Sequence, residues 1–150
     1  MKMHRLATFV ILTAAVGFAG CSSGPSADDA FVAVANNYLD RMLELNPEWA
    51  TNLGDHRFDD RISDLSETGF KTRVEFNRAY LDTLNTIDPD KLTLANRIDY
   101  EILKEHCEAV IFRIKEVKEY QWNPTMYNPG DGIYNILARD FAPLPERLGL

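Results

Sequence analysis

Cysteine is almost missing from this 150-residue chain: there are two, Cys21 and Cys107. No Cys-x-x-Cys pair exists, and no framework of intrachain disulfides can be built. Histidine is nearly as scarce, with only His56 and His106 beyond Cys21. The sequence contains no His-Glu-x-x-His, no Gly-x-Ser-x-Gly and no Walker-type glycine loop, so familiar zinc-protease, serine-hydrolase and nucleotide-binding signatures are absent from these positions. No stretch alternates apolar and polar residues as a half-buried strand would. There are no internal repeats. A positive surface is missing too, because the net charge is −7.

One apolar run stands out. It extends from Leu6 to Ala19, follows the basic Lys2 and Arg5, and ends in Gly17-Phe18-Ala19-Gly20-Cys21. A charged start, an apolar stretch short for a membrane span and small residues at its end describe a secretory signal over 1–20. The placement of Cys21 resembles the bacterial lipobox, with Phe18 where that pattern usually has Leu. Cys21 is therefore the expected lipidation site and the mature N-terminus. Residues 21–27 read as a flexible tether, since Ser22-Ser23-Gly24-Pro25-Ser26 is small, polar and uncharged. Ser22 after the cysteine resembles lipoproteins sent to the outer membrane, so the expected location is the bacterial cell envelope, facing the periplasm or the cell exterior.

Removal of the signal takes Lys2 and Arg5 with it. The mature part keeps 14 Lys and Arg against 23 Asp and Glu, a net charge of −9. Such a surface repels phosphate backbones and anionic headgroups. Nucleic acid is excluded as an expected partner, and the lipid bilayer is to be reached through acylated Cys21 rather than a basic patch. With Cys21 acylated, Cys107 has no partner and reads as a small core residue.

Residues 28–150 read as all-α, a multi-helix layer that forms the N-terminal part of a larger domain truncated at 150. Ser26 caps a helix that opens with Asp28 and Asp29, and its stripe is Phe31, Val34, Ala35, Tyr38, Leu39, Met42 and Leu45. Asn46-Pro47-Glu48 stops that helix and starts a short one that Gly54 closes. Asp64-Leu65-Ser66-Glu67 has capping-box spacing and opens a third helix through Phe70, Val74, Asn77, Leu81, Leu84 and Ile87. Asp88-Pro89 breaks it. The longest helix is expected from about Leu92 to Tyr120, with an apolar arc of roughly 200°, wider than a simple surface helix shows. This width predicts neighbours on two sides. Ile102 and His106 lie within the arc and are expected to be buried, with Ile102→Ala costing roughly 2–5 kcal/mol. The short connection predicts antiparallel packing of the third helix on the long one. Another short helix is expected from about Gly132 to Asp140, and Pro145 marks a further helix start.

Two clusters are candidates for function. The loop Gly54-Asp55-His56-Arg57-Phe58-Asp59-Asp60-Arg61 brings carboxylates, guanidinium groups and an imidazole together after a glycine-closed helix. Asp55, His56, Arg57 and Arg61 could line a substrate cleft, with Arg57 or Arg61 gripping a substrate carboxylate by two parallel hydrogen bonds. Equally, Asp–Arg pairs hold a loop in shape, and that is the reading the residues favour. Trp122, Met126, Tyr127 and Tyr134 offer either an apolar wall or packing anchors. No catalytic or metal-binding residue is assigned within the chain.

Three segments together resemble a known family. They are Asn46-Pro47-Glu48-Trp49-Ala50-Thr51-Asn52-Leu53-Gly54 with the loop to Arg61; Arg97-Ile98-Asp99-Tyr100-Glu101-Ile102-Leu103; and Trp122-Asn123-Pro124 with Tyr127, followed by Arg139-Asp140-Phe141-Ala142-Pro143-Leu144. In this order they are similar to the opening of bacterial proteins classed as domain of unknown function 885. The resemblance implies an exported, often lipid-anchored, largely helical protein several times longer than this chain. It also implies a likeness to zinc peptidases, with a His-Glu-x-x-Pro-Gly-His type motif far downstream. Zinc and a peptide substrate are thus expectations for a full-length protein, not for these residues. The alternative is a non-catalytic helical envelope lipoprotein that binds ligands or scaffolds partners.

Overall fold

In the computed structural model, residues 24–128 and 130–147 are described, and these are helical and connecting segments without a strand. The expected signal segment 1–20 and Cys21 lie outside the described residues. Helix α1 spans Ala27–Leu45, α2 Pro47–Leu53, α3 Glu67–Leu84 and α4 Leu94–Phe112; the short α5 (Glu119–Trp122), α6 (Gly130–Ala138) and α7 (Leu144–Arg147) follow.

Local chemistry sets the boundaries. Ser26 Oγ accepts from Asp29 N at 3.1 Å while the Asp29 carboxylate accepts from Ser26 N at 3.1 Å, a reciprocal cap on α1. Asn46 ends α1, and Pro47 occupies the first turn of α2, where its missing N–H costs nothing. Gly54 closes α2 at φ +89°, a conformation that suits glycine. The cap of α3 is Ser66, which accepts from Gly69 N at 3.2 Å. Asp64, the expected first member of a capping box, instead accepts from Ser66 N at 2.9 Å and shapes the turn before the helix. The helix expected to reach Tyr120 stops earlier. After Phe112 it continues as one wide turn, Arg113–Val117, and Lys118 takes a left-handed conformation at φ 50°. Lys118 N then donates to Arg113 O at 2.9 Å.

Three long helices form the layer. Phe70 near the start of α3 stacks on Tyr120, with ring centroids 4.5 Å apart, while Leu84 at its end accepts a hydrogen bond from Tyr100 Oη near the start of α4. The two helices are therefore antiparallel. Helix α1 runs alongside α4 in the same sense: Phe31 meets Tyr100 and Tyr38 meets His106. Two buried clusters hold the layer, one of Phe31, Leu84 and Tyr100 and one of Tyr38, Met42 and Cys107. Inside the second, buried Tyr38 donates to Asn77 Oδ1 at 3.0 Å and Asn77 Nδ2 donates to Arg73 O at 2.8 Å. Asn77 thus belongs to the apolar stripe of α3 because it satisfies a buried phenol.

The wide arc of α4 is divided. Tyr100 and Cys107 face the core, with Leu103 packed beside them. The far side of the arc is open: Leu94 is 76% exposed, Ile98 52%, Ile102 60% and Phe112 58%. The expectation that Ile102 is buried is corrected here, because it lies roughly 100° round the helix from Leu103, at the open mouth of a groove beside α1 rather than between the packed helices. His106 is corrected likewise. Its ring meets Tyr38 edge-on at 6.1 Å, but the residue is exposed. Leu39, expected in the α1 stripe, is 50% exposed.

Candidate functional site

The loop from Gly54 to Arg61 leaves α2 and packs against α1 on one side and the α6–α7 segment on the other. Its entry is fixed by backbone bonds, Gly54 N to Thr51 O at 3.0 Å and Asp55 N to Ala50 O at 2.9 Å. Its exit is fixed by Glu48, whose carboxylate accepts from Ser63 N at 2.9 Å and Ser63 Oγ at 2.5 Å. Burial works against the charge of Glu48, but these two hydrogen bonds, its own backbone N–H and nearby Arg73 together outweigh it and keep the carboxyl below its ordinary pKa.

Within the loop the charged groups are spent largely on one another. Arg57 donates to Asp55 from both Nε and Nη2, the latter at 2.7 Å, and Nη2 also lies 2.6 Å from Asp40 Oδ1 on α1. The Arg57 bonds hold the Asp55 carboxyl below its usual range, and Asp55 and then Asp40 stabilise the Arg57 cation. His56 Nδ1 is 2.8 Å from Asp59 Oδ2, and the other Asp59 oxygen is 2.5 Å from Thr51 Oγ1 on α2. Arg61 is held more loosely, 3.5 Å from Glu44 and 3.7 Å from Asp60. Both Arg57 and Arg61 lie over the Phe58 ring, at 5.0 and 5.5 Å from its centroid. Both arginines named as carboxylate grips already have two carboxylate partners; those of Arg57 lie closer, at 2.6 and 2.7 Å, so Arg61 is the less tightly committed of the two.

Distant segments complete the site. The His56 ring stacks on Phe141 with centroids 3.7 Å apart. Asn135 Nδ2 on α6 donates to Asn52 Oδ1 at 2.6 Å, and Arg139 donates to Asn52 O at 3.2 Å. Helix α6 approaches α2 so closely that a Cβ at Gly132 would stand 2.8 Å from Glu48 Cγ, so glycine is needed there. Arg147 donates from Nη1 to the carbonyls of Ile136, Leu137 and Arg139 and caps the end of α6. Between the loop and α6–α7 is an open depression of about 690 Å³ bordered by His56, Arg61, Ile133, Leu137 and Arg147. Thr51, Asn52 and Phe141 stand in the segments that carry the family resemblance, but nothing local marks their contacts or those of Arg147, because Asp59, Asn135, His56 and the Arg139 carbonyl that they meet lie eight or more residues away.

The aromatic group beyond α4 serves the local chain. Trp122 Nε1 donates to Val117 O at 3.1 Å and Tyr127 Oη to Tyr120 O at 2.7 Å. Tyr134 is exposed. Metal binding is not a property these side chains fit: among the described residues, no group of three or more His, Cys, Asp or Glu converges on one point. His56 and His106 sit in different surroundings, one beside Phe141 and the other beside Tyr38.

The family model for bacterial proteins of unknown function, DUF885, matches residues 47–149. The chain belongs to the DUF885 family. The match takes in the loop, α3, α4 and the α6–α7 segment that meets the loop, so the contacts above, apart from those of Arg57 with Asp40 and of Arg61 with Glu44 on α1, lie within the matched stretch. This DUF885 chain is also similar to a solved structure from Shewanella oneidensis, described as a proposed lipoprotein of unknown function. The two share 29% identity and a TM-score of 0.75, over 79% of this chain and 22% of that one. The DUF885 chain thus spans under a quarter of the length of that relative. No curated protein matches it. Among the described residues, no helix is long and apolar enough to cross a membrane.

Proposed function

We propose that this DUF885 chain is the amino-terminal helical wall of a longer envelope lipoprotein, anchored through acylated Cys21, whose hydrolytic site lies in the remainder of the polypeptide. The observation that carries the reading is the alignment with the Shewanella oneidensis protein, in which the matched helices are 22% of the chain. The site geometry agrees with a supporting role. Asp55, Arg57, His56 and Asp59 are tied to each other or to α1 and α2, as befits groups that hold a wall in shape. The reaction class, zinc-dependent peptide hydrolysis, comes from the family resemblance, and no step of it is assigned to these residues. Arg61 and the depression beside it contribute at most to placing a substrate that carries a carboxylate.

The full-length protein, purified from membranes, provides the test. Mass spectrometry of its N-terminus should give an acylated Cys21, metal analysis should give about one zinc per chain, and a peptide library should be cleaved. A free thiol at position 21 would end the anchoring part of the proposal. A metal-free, inert full-length protein would end the hydrolase part and favour a scaffolding lipoprotein.

A further inference from the structure

Helix α4 has two apolar faces, and only one is used. Leu94, Ile98 and Ile102 recur at i, i+4 and i+8, and with Phe112 they form an exposed stripe on the side away from Cys107. Eighteen residues separate Leu94 from Phe112, about 27 Å of helix. Beside this stripe runs a groove of about 480 Å³ between α1 and α4, walled by Val32 and Leu39 on one side and Ile102 on the other, with Trp49 at its end. Glu105 interrupts the stripe before Phe112, but exposed apolar side chains that recur along one face from Leu94 to Ile102 and continue into a groove mark a docking face.

The charge beside the stripe restricts the occupant. Asp99, Glu101 and Glu105 are exposed and make no ion pair among the described residues, whereas the acids of the loop are paired. A second copy of the same face would bring these carboxylates together, an arrangement that costs energy. Anionic lipid headgroups would meet the same repulsion. An amphipathic helix whose apolar residues are flanked by Lys and Arg satisfies both the groove and its rim. In the Shewanella oneidensis relative most of the polypeptide lies outside the matched stretch, so a longer chain has ample sequence to supply such a helix.

We infer that the α1–α4 groove and the Leu94–Phe112 stripe are the seat of a basic-flanked amphipathic helix from the same polypeptide, beyond residue 150. This rests on the reading of the chain as the amino-terminal part of a longer protein. The test uses that full-length protein. A benzophenone amino acid in place of Ile102 should cross-link within one polypeptide to a segment beyond residue 150, identified by mass spectrometry. The thiol introduced by Ile102→Cys should react with a maleimide at least about tenfold more slowly than one introduced by Lys71→Cys on exposed α3. Adding Glu101→Lys and Glu105→Lys to Ile102→Cys should raise its rate severalfold. Labelling of position 102 at the control rate would overturn the inference, as would cross-links between two polypeptides. A reading frame that stops at residue 150 would instead defeat the longer-protein reading itself, a separately visible result.

Discussion

His56 and Phe141, eighty-five positions apart, stack face to face with ring centroids 3.7 Å apart and planes 15° from parallel. The pair joins the charged loop after α2 to the segment between α6 and α7, both of which lie inside the family match. Aromatic pairs add roughly 0.5–1.5 kcal/mol beyond simple burial. A double-mutant cycle with His56→Ala and Phe141→Ala in urea unfolding should return a coupling of about 0.5–1 kcal/mol, because His56 remains partly exposed. Additive losses would show that the rings touch without holding the segments together.

The buried Tyr38–Asn77 bond predicts a sharper loss. Asn77→Leu removes the acceptor of a phenol that burial already keeps from ionising, since its pKa is raised chiefly by desolvation. A buried hydroxyl left without a partner costs about 1–3 kcal/mol. Tyr38→Phe in the same background should recover part of that loss, because both ends of the bond are then apolar. If Asn77→Leu alone leaves the unfolding midpoint unchanged, the hydrogen bond contributes nothing to the fold.

Sequence chemistry made the helices and their ends legible where it acts locally. Ser26 with Asp29, Asn46 with Pro47, and Gly54 each lie next to the backbone groups they serve, so a few residues suffice to place them. The width of the α4 arc was legible for the same reason. Which part of the arc is covered was not, because periodicity records that residues are apolar and says nothing about what stands opposite. Tyr100 and Cys107 won the core side since α1 and α3 approach there. Lys118 ends the helical run in a left-handed conformation, a role for which glycine would have been the expected residue. In the candidate site, Asp55 and Arg57 were recognisable as a local pair, whereas Phe141, Asn52 and Arg147 reach it only through tertiary contacts.

Two groups give stability opposite reference points on the pH scale but the same direction. The folded pKa of Glu48 is lowered from 4.5, so its contribution is complete above that value and is lost as pH falls through the folded pKa. The folded pKa of His106 is lowered from 6.5, first by desolvation of the part of its ring that lies against Tyr38 and then by Arg113. A histidine that resists protonation in the fold makes the unfolded chain bind more protons below about 6.5, so stability again declines as pH falls. Urea midpoints measured from pH 7.5 to 4 should decrease in two stages. His106→Gln should flatten the stage near pH 6, and Ser63→Ala should shift the acid stage to higher pH. A wild-type profile that is flat between pH 7.5 and 5.5 would remove His106 from this account.

Zinc affinity is the remaining expectation for the described part of the chain. A catalytic zinc takes about three protein ligands and a structural zinc about four, drawn from His, Cys, Asp and Glu at converging positions. His56 is committed to Asp59 and stacked on Phe141, His106 leans on Tyr38, and Cys107 is buried with its thiol pKa pushed up by desolvation. A thiol with a raised pKa is a poor source of the thiolate that binds metal. Asp55 and Asp59 of the loop are engaged with Arg57 and Thr51, and Glu48 of α2 with Ser63. Equilibrium dialysis of the 27–150 segment, after circular dichroism has verified that it is helical, should show no stoichiometric zinc site tighter than about micromolar. A tighter site, abolished by His56→Ala or His106→Ala, would move metal chemistry from the remainder of the polypeptide into these helices.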